Sequence, residues 1–161
     1  MKKLDFNLLR KWKISLVLFP IAIYFLAIRG EYTLIDNADL VIHEAGHFFF
    51  MFFGQFIQMA GGTLMQIIFP LFLAWYFYRN AYTTGVQIFI FWLGQNLINI
   101  SVYAADAPTR QLPLVGGGKH DWYYLLSKLG ILEFADAVGI LFVILAALVF
   151  LLSMAIPRFT E

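Results

Sequence analysis

The sequence predicts an all-α protein, a polytopic transmembrane helical bundle with about 4–5 spans, formed by residues 1–161 as a single integral membrane domain. Hydrophobic residues make up 61% of the chain and charged residues only 13%, which is far from the composition of a soluble domain. The apolar residues also come in blocks that match the ~20 residues a helix needs to cross a bilayer. Polar, glycine-rich or proline-containing segments separate these blocks. The lipid bilayer is therefore the expected surrounding. The small size and the absence of an added targeting signal favour a bacterial-type inner (plasma) membrane as the expected location.

Hydrophobic periodicity predicts the individual helices in order along the chain. They are expected at residues 12–28, 38–53, 63–78, 85–104, 121–130 and 134–156. The third helix is expected to begin only after Gly61 and Gly62, because adjacent glycines interrupt helices. Residues 105–120 are expected to form a long loop, since they contain Pro108, Pro113 and the run Gly116-Gly117-Gly118.

Charge and cysteine content exclude several classes of function. The net charge is +1, and no basic run mixed with aromatic residues occurs outside the N-terminus, so no nucleic-acid partner is expected. The absence of cysteine excludes disulfides, thiolate catalysis and every cysteine-containing zinc site. Any metal ion must therefore be bound by histidine and carboxylate.

One motif carries specific chemistry, the segment His43-Glu44-Ala45-Gly46-His47. Residues at i and i+4 project from one face of a helix, so both histidines can bind one Zn²⁺ ion while Glu44 stands beside them as a general base. The alternative without a metal is that the histidines are polar residues in helix packing and that Glu44 pairs with one of them near the membrane interface. An ionisable glutamate among apolar residues would cost a few kcal/mol in a membrane without a partner, which favours the metal site.

A catalytic zinc site has three protein ligands and one open position, so a third ligand must come from elsewhere. The candidates are Asp121, His120 and Asp106. His120 would complete a three-histidine site and use every histidine of the chain. Asp121 could instead be the N-cap of the following helix, and Asp106, near Pro108, could be a turn residue. The residues alone leave this choice open.

The chain resembles the site-2 protease family of intramembrane zinc metalloproteases. The resemblance lies in the His-Glu-x-x-His helix, residues 38–54, and in a later glycine-rich, aspartate-containing segment within residues 95–128 that opens another helix. The resemblance implies that an aspartate is the third ligand, and Asp121 in Gly118-Lys119-His120-Asp121-Trp122 looks like its counterpart. The sequence departs from the family pattern because its glycines precede the aspartate and Trp122 follows it.

A stripe of polar residues marks the helix expected at residues 85–104. Gln95, Asn96, Asn99 and Tyr103 recur on one face, and Gln66 is a similar polar residue on the preceding helix. Such residues could orient metal ligands or bind a substrate backbone. Ordinary hydrogen bonding between helices is the favoured interpretation for each residue taken singly.

The predicted topology contains a conflict. The basic N-terminus is expected on the inside, and a simple count of crossings places His43 near the outer surface but Asp121 on the inner one. Two residues separated by ~30 Å of hydrocarbon cannot share one ion. The conflict disappears if residues 38–62 dip into the membrane and turn back at Gly54 or at Gly61-Gly62.

The function predicted from these features is a membrane-embedded zinc metalloprotease. It would hydrolyse a peptide bond of a membrane-protein or peptide substrate in or next to the bilayer, with water activated by Glu44. The alternative is a non-enzymatic membrane protein with a structural metal site, for example an assembly factor or a transporter subunit.

Overall fold

The computed structural model describes residues 6–114 and 118–159, and within these ranges every regular element is a helix. Gly116 and Gly117 of the expected loop lie outside the described residues. The six α-helices are α1 (Phe6–Ala27), α2 (Leu34–Phe50), α3 (Gln55–Arg79), α4 (Thr83–Ala105), α5 (Asp121–Leu129) and α6 (Ala135–Ala155). The expectation of an all-helical chain is confirmed, and each predicted helix has a counterpart.

The expected interruption at Gly61 and Gly62 was wrong, because both glycines lie inside α3. They are needed for packing instead. A Cβ on Gly46 of α2 would collide with the backbone carbonyl of Gly61, and a Cβ on Gly62 would collide with the imidazole ring of His43. The glycines therefore let α2 approach α3 closely, and this close approach places His43 against α3.

Three helices are long and apolar enough to cross a membrane, as judged over the described residues. They are α3, α4 and the helical segment Leu132–Arg158 that includes α6. The sequence led us to expect about 4–5 spans, which would require α1 or α2 to cross as well. α2 has 17 residues. At 1.5 Å per residue it is ~25 Å long, which is less than the ~30 Å of bilayer hydrocarbon.

Two hydrogen bonds define the relative direction of α1 and α4. Gln87 donates to Ser15 at 3.0 Å, and Arg29 donates to Ser101 at 3.0 Å. Both pairs are separated by 72 residues, so α1 and α4 run parallel. The end of α1 and the loop after α4 therefore lie at the same end of the bundle.

The turn at Gly54 brings α2 and α3 together as a helical hairpin. Gly54 has a φ of +86°, a conformation that favours glycine. A short 3-10 turn, Met51–Phe53, precedes it, and Phe48, Phe49, Phe52 and Phe53 are exposed around the turn. The hairpin turns back at Gly54, one of the two positions the sequence suggested, and returns the chain past His43 and His47.

The centre of the bundle is α4. Its apolar residues Phe91, Leu97 and Ile100 are buried together with Phe150 of α6. Its polar side chains are buried too, and Gln95 and Asn96 are at most 2% exposed. Buried polar groups need hydrogen-bond partners, and on this side of α4 the amides of Gln95 and Asn99 both donate to Asp36 of α2.

Candidate metal centre

Both histidines of α2 point at one carboxylate oxygen. Their rings lie on the same helix face, with centroids 4.8 Å apart. His43 Nε2 is 2.9 Å from Oδ2 of Asp121, and His47 Nε2 is 3.2 Å from the same oxygen. One ligand atom from each of the three residues lies within 4.8 Å of the others. The tertiary fold thus assembles two imidazole nitrogens and a carboxylate into one cluster.

Asp121 is the first residue of α5, and two neighbours hold it in place. Its backbone N–H donates to the hydroxyl oxygen of Tyr103 at 3.1 Å, and the Tyr103 hydroxyl donates to Asp121 Oδ2 at 3.3 Å. The side chain of His120, not that of Asp121, caps α5, because His120 Nδ1 accepts from the backbone N–H of Tyr123. The capping role considered for Asp121 therefore falls to its neighbour, and the Asp121 carboxylate remains available to the cluster.

The other ring nitrogen of each histidine contacts a carbonyl oxygen. His47 Nδ1 donates to the backbone carbonyl of Gln58 at 2.8 Å. His43 Nδ1 lies 2.9 Å from the side-chain Oε1 of Gln66. Histidines that bind metal ions commonly donate their second N–H to such an oxygen, which fixes the ring and leaves the first nitrogen as a ligand. Both rings therefore have the orientation that metal binding requires.

The electrostatics of the cluster also suit a cation. Asp121 is only 4% exposed. Burial by itself would raise the pKa of the Asp121 carboxyl, but the hydrogen bonds that His43 and His47 donate when their Nε2 atoms carry protons hold the pKa below its usual range. When those Nε2 protons are lost and each Nδ1 keeps its proton, two nitrogen lone pairs and a carboxylate oxygen converge without a donor between them. Zn²⁺ takes this combination of ligands, so the residues present fit the ion.

The two rival third ligands lie outside the cluster. His120 Nε2 is 3.3 Å from Oδ2 of Asp106. Asp106 accepts from the hydroxyl of Thr109 and from the backbone N–H groups of Gln111 and Leu112, at 2.6–3.0 Å. Asp106 is thus the turn residue that ends α4, and His120 is its partner. Among the described residues, the structure joins Asp121, and neither His120 nor Asp106, to His43 and His47.

A cavity of about 450 Å³ opens beside the cluster. His43, Glu44, His47 and Asp121 all line it. Glu44 itself is exposed, unlike the buried His43. Apolar residues complete the wall, including Phe25, Leu40, Ile98, Val102 and Leu112. The cluster therefore faces a space that can admit a ligand, with a free carboxylate on the same wall.

Sequence reasoning missed part of this site. Gln66 and Asn99 stood out as polar residues in apolar helices, and they contact each other at 2.9 Å within the site. Asp36, which accepts a hydrogen bond from Asn99, was not singled out. His47 contacts the backbone carbonyl of Gln58. The sequence could not indicate this partner, because every residue has a backbone carbonyl.

The fold and the site together define the class of protein. In the part of the chain that the structure describes, it is all-helical, has three helices able to cross a membrane, and contains a cluster of buried His43, half-buried His47 and buried Asp121. No protein-family model matches the chain, and no match was found among curated proteins or solved structures.

Proposed function

We propose that the protein is a zinc-dependent metallopeptidase embedded in the membrane, which hydrolyses peptide bonds in or next to the bilayer. One observation carries the proposal. Nε2 of His43, Nε2 of His47 and Oδ2 of Asp121 converge on one point, and Glu44 lines the same cavity. The resemblance of residues 38–54 to the site-2 protease family supports the same activity.

The residues of the site have separate roles in hydrolysis. His43, His47 and Asp121 would hold the zinc ion, which would supply Lewis-acid chemistry to the scissile carbonyl and to the attacking water. Glu44 takes the proton of the attacking water and passes it to the nitrogen of the leaving amine. Tyr103 holds Asp121 through its hydroxyl and keeps the carboxylate directed at the histidines.

The cavity wall suits a polypeptide substrate. Apolar side chains such as Ile98 and Val102 can contact the side chains of a membrane segment. Polar groups such as Thr33 and Gln58 lie on the same wall and can bond a backbone that is not in a helix. The proposed substrate is therefore a membrane-protein segment or a peptide at the membrane surface.

The test is a comparison of Glu44→Gln with the wild type in detergent, using a quenched fluorescent peptide library and elemental analysis of zinc. Glu44→Gln should keep its zinc and lose hydrolysis by a factor of ~100 or more, because a positioned base contributes about that much. Glu31→Gln is the matched control, since Glu31 also lines the cavity but is not in the motif, and it should hydrolyse normally. Equal hydrolysis by Glu44→Gln and the wild type would overturn the proposed mechanism.

A structural metal site is the second candidate, favoured by the low exposure of His43 and Asp121, 7% and 4%. A closed fourth coordination position characterises such sites. Protein that binds zinc tightly, hydrolyses no peptide and unfolds when zinc is removed would establish this alternative.

A further inference from the structure

A chain of side-chain hydrogen bonds leads from the metal centre back to the start of α2. His43 Nδ1 contacts Gln66 Oε1 at 2.9 Å, and Gln66 Nε2 donates to Asn99 Oδ1 at 2.9 Å. Asn99 Nδ2 then donates to Oδ1 of Asp36, also at 2.9 Å. Two amides on two different helices thus connect a candidate zinc ligand to a carboxylate seven positions earlier on its own helix.

Asp36, the last residue of this series of hydrogen bonds, is only an acceptor. Asp36 is 7% exposed and receives four donors. They are the backbone N–H and the hydroxyl of Thr33, both at 2.6 Å from Oδ2, and the amides of Asn99 and Gln95, at 2.9 and 3.2 Å from Oδ1. An ionised carboxylate only accepts, and it has about four lone-pair positions to offer. Asp36 therefore has every position filled by a donor.

Because Asp36 only accepts, it determines which group donates in every other hydrogen bond of the series. Since Asp36 accepts, Asn99 must present its NH₂ group to Asp36 and its oxygen to Gln66. Gln66 must then present its NH₂ group to Asn99 and its oxygen to His43. Nδ1 of His43 faces the amide oxygen of Gln66, which can only accept, so Nδ1 carries a proton. Nε2 is left as the nitrogen that faces Asp121.

We propose that Asp36 is a positioning residue of the metal centre, which keeps the proton on Nδ1 of His43 through Asn99 and Gln66 and so reserves Nε2 for the cation. This role of Asp36 rests on the proposed zinc site, but it concerns which ring nitrogen of His43 is free to bind zinc and not peptide hydrolysis. Because Asp36 and Asp121 are both acceptors at the two ends of one series of hydrogen bonds, a proton or a cation must lie between Nε2 of His43 and Asp121. Asp36 thereby increases the preference of the site for a metal ion.

Asp36→Asn should reverse the donor–acceptor order of the hydrogen bonds that lead to His43. The introduced amide keeps its oxygen for Thr33 and presents its NH₂ group to Asn99, so Asn99 and Gln66 turn over and Gln66 presents its NH₂ group to His43. Gln95 can adapt, because its buried Oε1 has no partner in the described structure and becomes an acceptor for the introduced amide. His43 then carries its proton on Nε2, donates it to Asp121, and has no lone pair directed at the metal site.

A second substitution restores an acceptor beside Nδ1 of His43. In Asp36→Asn/Gln66→Glu the negative charge moves to the residue beside His43, and the net charge of the protein equals that of the wild type. The introduced amide donates to Asn99, Asn99 donates to the introduced carboxylate, and that carboxylate accepts the Nδ1 proton of His43. The double variant should therefore recover what the single variant loses, which a purely structural role of Asp36 would not produce.

The experiment uses the 161-residue chain in detergent with ¹⁵N-labelled histidine, since this chain has only three histidines to resolve. The Nδ1 signal of His43 should be that of a protonated nitrogen in the wild type, with and without zinc. It should be that of an unprotonated nitrogen in zinc-free Asp36→Asn and return to the protonated form in the double variant. Zinc affinity should fall by about 10–100-fold in Asp36→Asn and recover in the double variant.

Thr33→Ala is the control for the local effect of losing a hydrogen bond to Asp36. It removes the hydroxyl donor but leaves the carboxylate in place, so the Nδ1 proton should stay. A protonated Nδ1 in zinc-free Asp36→Asn, or a zinc affinity equal to that of the wild type, would overturn the proposal. Failure of the wild type to bind zinc would instead refute the proposed function, and the zinc-free spectra would still decide whether Asp36 controls His43.

Discussion

His43 Nε2 lies 2.9 Å from Asp121 Oδ2, although 78 residues separate the two in sequence. The contact joins the middle of α2 to the first residue of α5. It exists because the hairpin turn at Gly54 and the parallel direction of α1 and α4 bring both segments to one end of the bundle.

Removal of a cluster residue should remove the metal. The wild type should contain about one zinc per chain, and His47→Ala and Asp121→Ala should each reduce this to background, because three protein ligands are the minimum of a zinc site. Elemental analysis of protein purified in detergent measures the zinc. His120→Ala is the matched control, since His120 contacts Asp106 and not the cluster. Loss of zinc in His120→Ala with retention in Asp121→Ala would reverse the assignment of the third ligand.

Gly62→Ala should disturb the centre from the side of α3. The added Cβ would collide with the imidazole of His43, so the ring must move and zinc affinity should fall. Overpacking of this kind typically costs about 1–3 kcal/mol of stability. Gly94→Ala makes the same chemical change against Phe150, away from the cluster, and should lower thermal stability while zinc binding is kept. Zinc titrations and melting curves of both variants separate the two effects, and equal zinc affinities would contradict the packing argument.

Single cysteines should show which loops share a side of the membrane. The chain contains no cysteine, so introduced ones report without background. Glu31→Cys, after α1, and Gln111→Cys, after α4, should react with an impermeant thiol reagent from the same face of sealed vesicles. Asn80→Cys, between α3 and α4, should react only from the opposite face. Labelling of Glu31→Cys and Gln111→Cys from opposite faces would refute the parallel arrangement of α1 and α4, and labelling of Gln111→Cys and Asn80→Cys from one face would refute a crossing by α4.

Asp106 should stabilise the turn after α4 in a pH-dependent way. Burial alone would raise the pKa of its carboxyl, but donors from Thr109, Gln111, Leu112 and His120 lower it. A carboxyl whose pKa is depressed in the folded protein contributes stability above its unfolded pKa of about 3.9, and this contribution is lost as the pH falls through the folded value. Asp106→Asn should therefore melt at a lower temperature near neutral pH and approach the wild type in acid. Glu133→Gln, at an exposed carboxylate, is the control and should show little difference.

Local patterns predicted most of the helices but not all of their limits. Apolar blocks indicated α4 and α6 closely, because a continuous apolar stretch in lipid has few alternatives to a helix. The start of α3 was placed at residue 63 instead of Gln55. Gly61 and Gly62 looked like a break, yet contact with Gly46 and His43 stabilises them within the helix. A propensity for breaking helices is small compared with the free energy of close helix packing, and only the fold shows that packing.

The sequence by itself determined the chemistry that is available: an apolar helical chain without cysteine, and two histidines four residues apart with a glutamate between them. That spacing is local, so a single helix turn places both rings on one face. The choice among Asp121, His120 and Asp106 was decided only by the tertiary structure. Ligand atoms must meet within a few ångströms, and which distant residue does so depends on how α2, α4 and α5 pack, because no local pattern encodes a distance across 78 residues.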